Sequence, residues 1–199
     1  MDHKSKKCSR KKSSRGYNVD DVSTSTSTSV SAHDNIIAFW KETERPYGMF
    51  CNFAKTEIVL EDGTIVDCSE KAFMLKKLER FDPDNKEARH GIIGASKPID
   101  AKNWGRKIRN FDEAVWDAER YNVMRNVLLL KFGQNPDAKH LLLSTGKHEF
   151  VEASPYDTIW GVGLTAEQVH AGVPYRGQNL LGKALMEVRA HFQEQKQEQ

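Results

Sequence analysis

The stretch Asp112-Glu-Ala-Val-Trp-Asp-Ala-Glu-Arg-Tyr-Asn-Val-Met-Arg-Asn-Val-Leu-Leu-Leu-Lys-Phe-Gly133 is the longest run of the chain with one clear period. Its apolar residues Trp116, Val123, Val127 and Leu130 recur at helical spacing, and Met124 and Leu128 widen the stripe. Asp112 is suited to cap the N-terminus, and Gly133 reads as the stop. Helical patterns flank it. They cover Ser69 to Arg80, Asn85 to Ala95, Asp100 to Ile108, Pro136 to Ser144, and Asn179 to Gln193 with Leu181, Leu185, Val188 and Phe192 on one side.

Strand signals are fewer. Ile36 to Trp40 and Glu149 to Ala153 read as strands, and Thr56 to Leu60 and Thr64 to Asp67 flank an Asp62-Gly63 turn as a hairpin. The expectation is a helix-dominated α+β fold, a single domain with a small antiparallel sheet. Residues 35–193 form that domain. Residues 1–34 read as a disordered tail, a basic block followed by a Ser/Thr run, and residues 194–199 as a short C-terminal tail.

Charge divides the same way. Residues 1–15 carry seven positive side chains against Asp2, a net +6, which leaves −4 for the remainder of a chain whose total is +2. The folded part is therefore not basic overall. Contacts to nucleic acid would come from the tail or from a local patch. The tail reads equally as an import signal, a phosphate-binding arm or a solubilising segment. No apolar run reaches bilayer length, so no membrane partner is expected. No hydrophobic signal segment is evident and the three cysteines, Cys8, Cys51 and Cys68, form no Cys-x-x-Cys pair. An intracellular location, cytoplasmic or nuclear, is expected. The seven histidines show no metal-binding spacing, so neither metal nor cofactor is expected. Oligomeric state is not legible.

Three segments could carry chemistry. Ser154-Pro-Tyr-Asp-Thr-Ile-Trp-Gly-Val-Gly163 follows a strand and places Asp157 and Trp160 in a Pro/Gly-rich loop. Asp157 either acts on a ligand or caps a turn, and Trp160 either stacks on a ligand or plugs the core. On the helix from Ser69, the residues Glu70, Phe73, Met74 and Lys77 share one stripe. Turned inward, it would desolvate a carboxylate and an ammonium together. Turned outward, Asp67 and Glu70 would form a capping box and Lys77 would lie along the surface. Pro46 to Phe53 can present a ring for stacking, with Asn52 between Phe50 and Phe53, or can simply edge the core. Arg106 beside Gly105 suits a diphosphate, and Asn179 is placed to cap the last helix near Gly182.

Taken in order, these pieces resemble the NADAR family with its YbiA-like members, over roughly residues 36 to 192. The resemblance rests on Gly48 to Phe53, Ser69-Glu70 with Lys77, Ala101-Lys102 with Gly105-Arg106, Trp116 with Met124, Lys131-Phe132, Leu141 to Thr145, Val151 to Ser154 with Asp157 and Trp160-Gly161, and Gly177-x-Asn179 with Leu181-Gly182 and Leu185-Met186. It implies an N-glycoside hydrolase. Some members release ADP-ribose from ADP-ribosylated guanine in nucleic acid, and others cleave phosphoribosylated intermediates of riboflavin synthesis. A non-catalytic ADP-ribose-binding module is the third reading.

The resemblance also implies the site residues. Glu70, Lys77 and Asp157 would be catalytic. Phe50, Asn52, Phe53, Arg106, Trp116, Glu152, Trp160, Gly161, Asn179 and Gly182 would bind substrate. Its partners would be the ADP-ribose moiety and nucleic acid modified on guanine. Two departures stand out. Lys71-Ala72 replace the aromatic pair usual after the glutamate, and Cys51 replaces a serine.

Overall fold

The computed structural model describes residues 35–197. The reading of residues 1–34 as a disordered tail lies outside the described residues. Strand β1, Ile36–Phe39, leads through a single 3-10 turn, Tyr47–Phe50, to the two-residue strands β2, Ile58–Val59, and β3, Ile65–Val66. Helices α1 (Ser69–Phe81), α2 (Lys86–Gly94), α3 (Pro98–Gly105), α4 (Glu113–Gln134) and α5 (Pro136–Ser144) follow. Strand β4, Glu149–Glu152, a short helix α6, Ala166–His170, and α7, Leu180–Gln197, complete the chain. Helices dominate, as expected for this α+β domain.

The sheet differs from expectation in one respect. There are two separate strand pairs, and only β2–β3 is antiparallel. β1 and β4 run parallel, with Ile36 opposite Glu149 and Phe39 opposite Glu152. The period of each strand was legible, but the partner of a strand more than a hundred residues away was not.

The core lies between α1, α4, α7 and the parallel pair. Phe39, Phe50 and Phe150 pack edge to face, with the Phe50 and Phe150 centroids 4.7 Å apart. Leu75, Leu78, Met124, Leu128, Leu181, Leu185 and Val188 are fully buried around them. Each such side chain contributes about 1.5–3 kcal/mol by leaving water. On α4 the buried face is Trp116, Met124, Val127, Leu128, Lys131 and Phe132, so Val123 and Leu130 flank it rather than centre it. A stripe drawn from apolar residues alone could not include Lys131.

Boundaries moved for local reasons. Gly133 does not stop α4, which runs through it to Gln134. Asn135 and Pro136 end it and start α5. Asp112 does cap α4, accepting from Val115 N at 3.0 Å. α3 starts at Pro98, earlier than Asp100, because the proline occupies its first turn. Gly91 sits inside α2 because a Cβ there would collide with the indole of Trp104 on α3. α7 continues beyond Gln193 to Gln197.

Candidate active site

The carboxyl ends of the parallel strands deliver two loops to one place. β1 leads into Trp40, Lys41 and Glu42, and β4 ends on Glu152 and leads into Ser154, Tyr156, Asp157 and Trp160. The end of a parallel pair is where loops can open a crevice for a ligand. Here they face the N-terminus of α1 and one side of α3. Together they enclose a cavity of about 480 Å³, lined also by Asn52, Phe53, Glu70, Lys102 and Arg106. A smaller cavity of about 210 Å³ adjoins it. The two share Glu70, Lys102, Arg106, Asp157 and Trp160, and the smaller adds Phe73, Lys77 and Trp116.

Glu70 lies at the junction, in the first turn of α1, and is 5% exposed. A helix N-terminus favours a carboxylate, and Lys102, Arg106 and Lys77 pull in the same direction. Burial outweighs them, helped by the Asp157 charge, and the Glu70 carboxyl is pushed up to about 7. The capping box with Asp67 does not form. Asp67 instead pairs with Lys71 at 2.9 Å, and the Glu70 amide donates to Asn52 O at 3.0 Å. The loop before α1 thus caps the helix through its backbone, which frees the Glu70 carboxylate to face the cavity.

Lys77, two turns along, is half-buried. Its Nζ donates to Gly105 O at 3.2 Å and stands 3.9 Å from the centroid of the Phe111 ring. Burial and the Arg106 charge lower its pKa, and Glu70 opposes them without prevailing. Phe73, between the two charges, holds an aromatic cluster. Its ring centroid is 5.0 Å from Trp116 and 5.3 Å from Trp160, the latter edge-on at 88°.

Asp157 reconciles its two readings. Its Oδ1 accepts from the amides of Ile159 and Trp160 at 2.9 and 2.8 Å, so it does cap a turn. The carboxylate nevertheless lines both cavities. Gly161 packs tightly behind, where a Cβ would press on the carbonyls of Glu152 and Asp157 at 2.8 and 2.9 Å.

Glu152 was expected only as a binding residue, but its burial gives it more. It is 9% exposed, its Oε2 has no partner among the described residues, and burial with the Asp157 charge pushes it up to about 8. Asn52, also on the cavity wall, has an equally unpartnered Oδ1. Two buried polar atoms left without partners at a cavity wall are available to a ligand's hydrogen-bonding groups.

Four expected binding residues lie elsewhere, Gly161 behind the wall among them. Phe50 is fully buried among Phe39, Tyr47 and Phe150, so the ring that the loop gives to the cavity is Phe53. Asn179 does not cap α7 with its side chain. With φ of 53° it turns inward, accepting from Glu152 N at 3.0 Å and donating to Phe150 O at 2.9 Å. Gly182 packs against the Phe150 carbonyl. Asn179 and Gly182 therefore brace the strand that carries Glu152 and do not line the cavity. Lys71, at the departure noted above, points away and donates to Ile93 O at 3.0 Å.

Sequence reasoning missed Lys102, Trp40, Tyr156 and Ile99 on the cavity wall. The Ala101-Lys102 pair was visible only as part of a pattern, and the aromatics follow strands without any motif of their own. Among the described residues, no group of three His, Cys, Asp or Glu is placed to hold a metal ion, and no helix is long and apolar enough to cross a membrane.

The NADAR domain family matches residues 38–193. This chain belongs to the NADAR family. The N-glycosidase YbiA of Shigella flexneri is 33% identical over 156 residues, covering 78% of this chain and 88% of that protein. The N-glycosidase R617 of Acanthamoeba polyphaga mimivirus is 44% identical over 106 residues, 52% of this chain and 62% of the viral protein, so the match spans less than two thirds of the latter. A riboflavin biosynthesis protein PYRR of Zea mays is 32% identical over 167 residues, 79% of this chain and 25% of that protein. The NMR structure of the Escherichia coli YbiA superposes with a TM-score of 0.67 at 31% identity, covering 83% of this chain and 89% of that one. NADAR membership accounts for the ordered motifs, and the cavity gathers most of them at one place.

Proposed function

We propose that the protein is an N-glycoside hydrolase that releases ADP-ribose from ADP-ribosylated guanine in nucleic acid. The observation that carries this reading is the convergence of Glu70, Asp157 and Lys77 on two adjoining cavities walled by Trp116, Trp160 and Phe53. Breaking an N-glycosidic bond builds positive charge on the ribose and negative charge on the departing base. Asp157 supplies a carboxylate beside the ribose. Glu70, pushed up to about 7, is part-protonated near neutral pH and can protonate the base as it leaves with the bonding pair.

Two routes to the sugar remain in this proposal. In the first, the Lys77 amine attacks the anomeric carbon as the bond to the base breaks. The ring then opens to a Schiff base, and water adds to regenerate the amine and free the ADP-ribose. The lowered pKa of Lys77 favours this route. In the second, water attacks directly and Lys77 acts as a charge. Arg106 and Lys102 border the cavity where a diphosphate would need cations. The net +6 of residues 1–15 favours a nucleic-acid substrate over a small one.

Similarity to the maize riboflavin biosynthesis protein favours the second reading, hydrolysis of a phosphoribosylated intermediate of that pathway. The full chain, incubated in parallel with an oligonucleotide ADP-ribosylated on guanine and with phosphoribosylated riboflavin precursors, tests both. Mass spectrometry should find free ADP-ribose and restored guanine from the first. Turnover of the precursors alone would assign the second reading. Binding of ADP-ribose with no turnover of either would make the chain a binding module.

A further inference from the structure

At the mouth of the larger cavity, Tyr156 is 87% exposed, the most exposed large hydrophobic side chain among the described residues. It does not hang from a loose loop. Pro155 precedes it, Asp157 follows in its capped turn, and the Gly163 amide donates to Asp157 O at 3.1 Å. Its ring lies against Trp40, with centroids 5.9 Å apart and planes tilted by 51°. Lys41 covers a face of Trp40, with Nζ 4.6 Å from the centroid. Ile99, 42% exposed, continues the apolar rim on the α3 side.

We propose that the Trp40–Tyr156 shelf is a stacking platform for an unpaired nucleobase adjoining the nucleotide held in the cavity, so that the protein takes a single strand rather than a free nucleotide. The inference deepens the nucleic-acid reading of the site and rests on it. A flat ring with one open face matches a base, which also has a flat face and remains partly in solvent within a strand. Enclosed rings serve what enters the cavity, and Phe53 and Trp160 supply those. Tyr156 is too open to enclose a ligand. Charge agrees, because Lys41, Lys102 and Arg106 stand around the same mouth. Among the described residues no ion pair engages any of the three. Four carboxyl groups oppose them on the same lining, Glu42 and Asp157 together with the buried Glu70 and Glu152. A cationic rim beside an aromatic platform suits the alternating phosphates and bases of a single strand.

The test is binding of a fluorescent single-stranded oligonucleotide, with one guanine flanked by thymines, to the full chain and to Tyr156→Ala and Tyr156→Phe. Tyr156→Ala should weaken binding about 5-fold or more, the lower bound expected for one lost base stack, and Tyr156→Phe should hold it. Replacing the flanking thymines by abasic sites should weaken the wild type and erase its advantage over Tyr156→Ala. Equal binding by Tyr156→Ala and wild type would overturn the proposal, as would an advantage that persists on the abasic strand. A matching loss of affinity for free ADP-ribose would also overturn it, by assigning the ring to adenine. Failure of the activity reading is seen separately. A wild type that shows the Tyr156-dependent, base-dependent binding but frees no ADP-ribose from modified guanine keeps the platform and loses the reaction.

Discussion

Asp157 and Trp160 are held by one turn: a single carboxylate oxygen of Asp157 accepts the Trp160 amide at 2.8 Å and the Ile159 amide at 2.9 Å. The carboxylate proposed for catalysis and the aromatic wall are therefore fixed by the same turn. The amide oxygen of an asparagine can keep both bonds but not the charge. Asp157→Asn should melt near the wild-type temperature and lose most hydrolysis. Asp157→Ala should lose hydrolysis and also about 1–2 kcal/mol of stability, because two amides lose their acceptor. Thermal melts beside turnover assays read both, and an active Asp157→Asn would reduce the carboxylate to a turn cap.

How much of this was legible in the sequence depends on which forces fix each residue. The stripe of Leu181, Leu185, Val188 and Phe192 was readable because helix period and burial agree, and all four are buried. Glu70 and Lys77 were readable as one face for the same reason. Phe50 and Phe53 were not separable, because which ring enters the core depends on Phe39 and Phe150 arriving from β1 and β4, strands more than a hundred residues apart. Asn179 was misread because its partners, the backbone groups of Phe150 and Glu152, belong to a strand far upstream. The shelf of Trp40 and Tyr156 depends on the parallel pairing of β1 and β4, which no local pattern announces.

Under the proposed mechanism, Glu70 should set a pH limit on activity. Its carboxyl titrates near 7 in the folded protein, and the proposed role needs the proton on it. kcat/KM should therefore fall as pH rises through about 7, since that quantity follows the free enzyme. In Glu70→Gln the residual activity should be low and should no longer fall there. An alkaline limb that survives in Glu70→Gln would assign it to another group.

Glu152 links the site to stability. Its folded carboxyl titrates near 8, above its ordinary value of 4.5. A raised carboxyl means that the folded state holds its proton more tightly than the unfolded state. Its contribution is full below about 4.5 and is lost as pH rises through about 8. Glu152→Gln removes that loss. The melting temperature of Glu152→Gln relative to wild type should thus climb between pH 5 and pH 8. A constant difference across that range would mean that the carboxyl titrates normally.

Lys131 is fully buried on α4, and its Nζ donates to Met49 O at 2.7 Å and Cys51 O at 3.2 Å. It ties the loop bearing Asn52 and Phe53 to the core. Lys131→Met would leave the Met49 carbonyl unpaired in the interior, while Cys51 O keeps the Ala54 amide at 3.2 Å, at a cost of about 1–3 kcal/mol. The loosened loop should raise KM several-fold with kcat little changed, because Asn52 and Phe53 line the cavity and the groups proposed for catalysis sit on other elements. A fall in kcat at constant KM would assign Lys131 a part in the chemistry.

Lys77 decides between the two routes to the sugar. Desolvation and Arg106 outweigh Glu70 and lower its pKa, the direction that leaves an amine able to attack. Its Nζ now bonds Gly105 O, and α1 sets its Cα about 10 Å along the axis from that of Glu70, so the side chain must swing toward the ribose. If it does, borohydride added during turnover should trap the sugar on Lys77 as a stable secondary amine, found by peptide mass mapping. Lys77→Ala should abolish both the adduct and most hydrolysis. Lys77→Arg keeps the charge but cannot form a Schiff base, and it should fail as well. A Lys77→Arg protein with near-normal turnover, and no trapped adduct in the wild type, would mean that water attacks directly and the lysine serves as a charge.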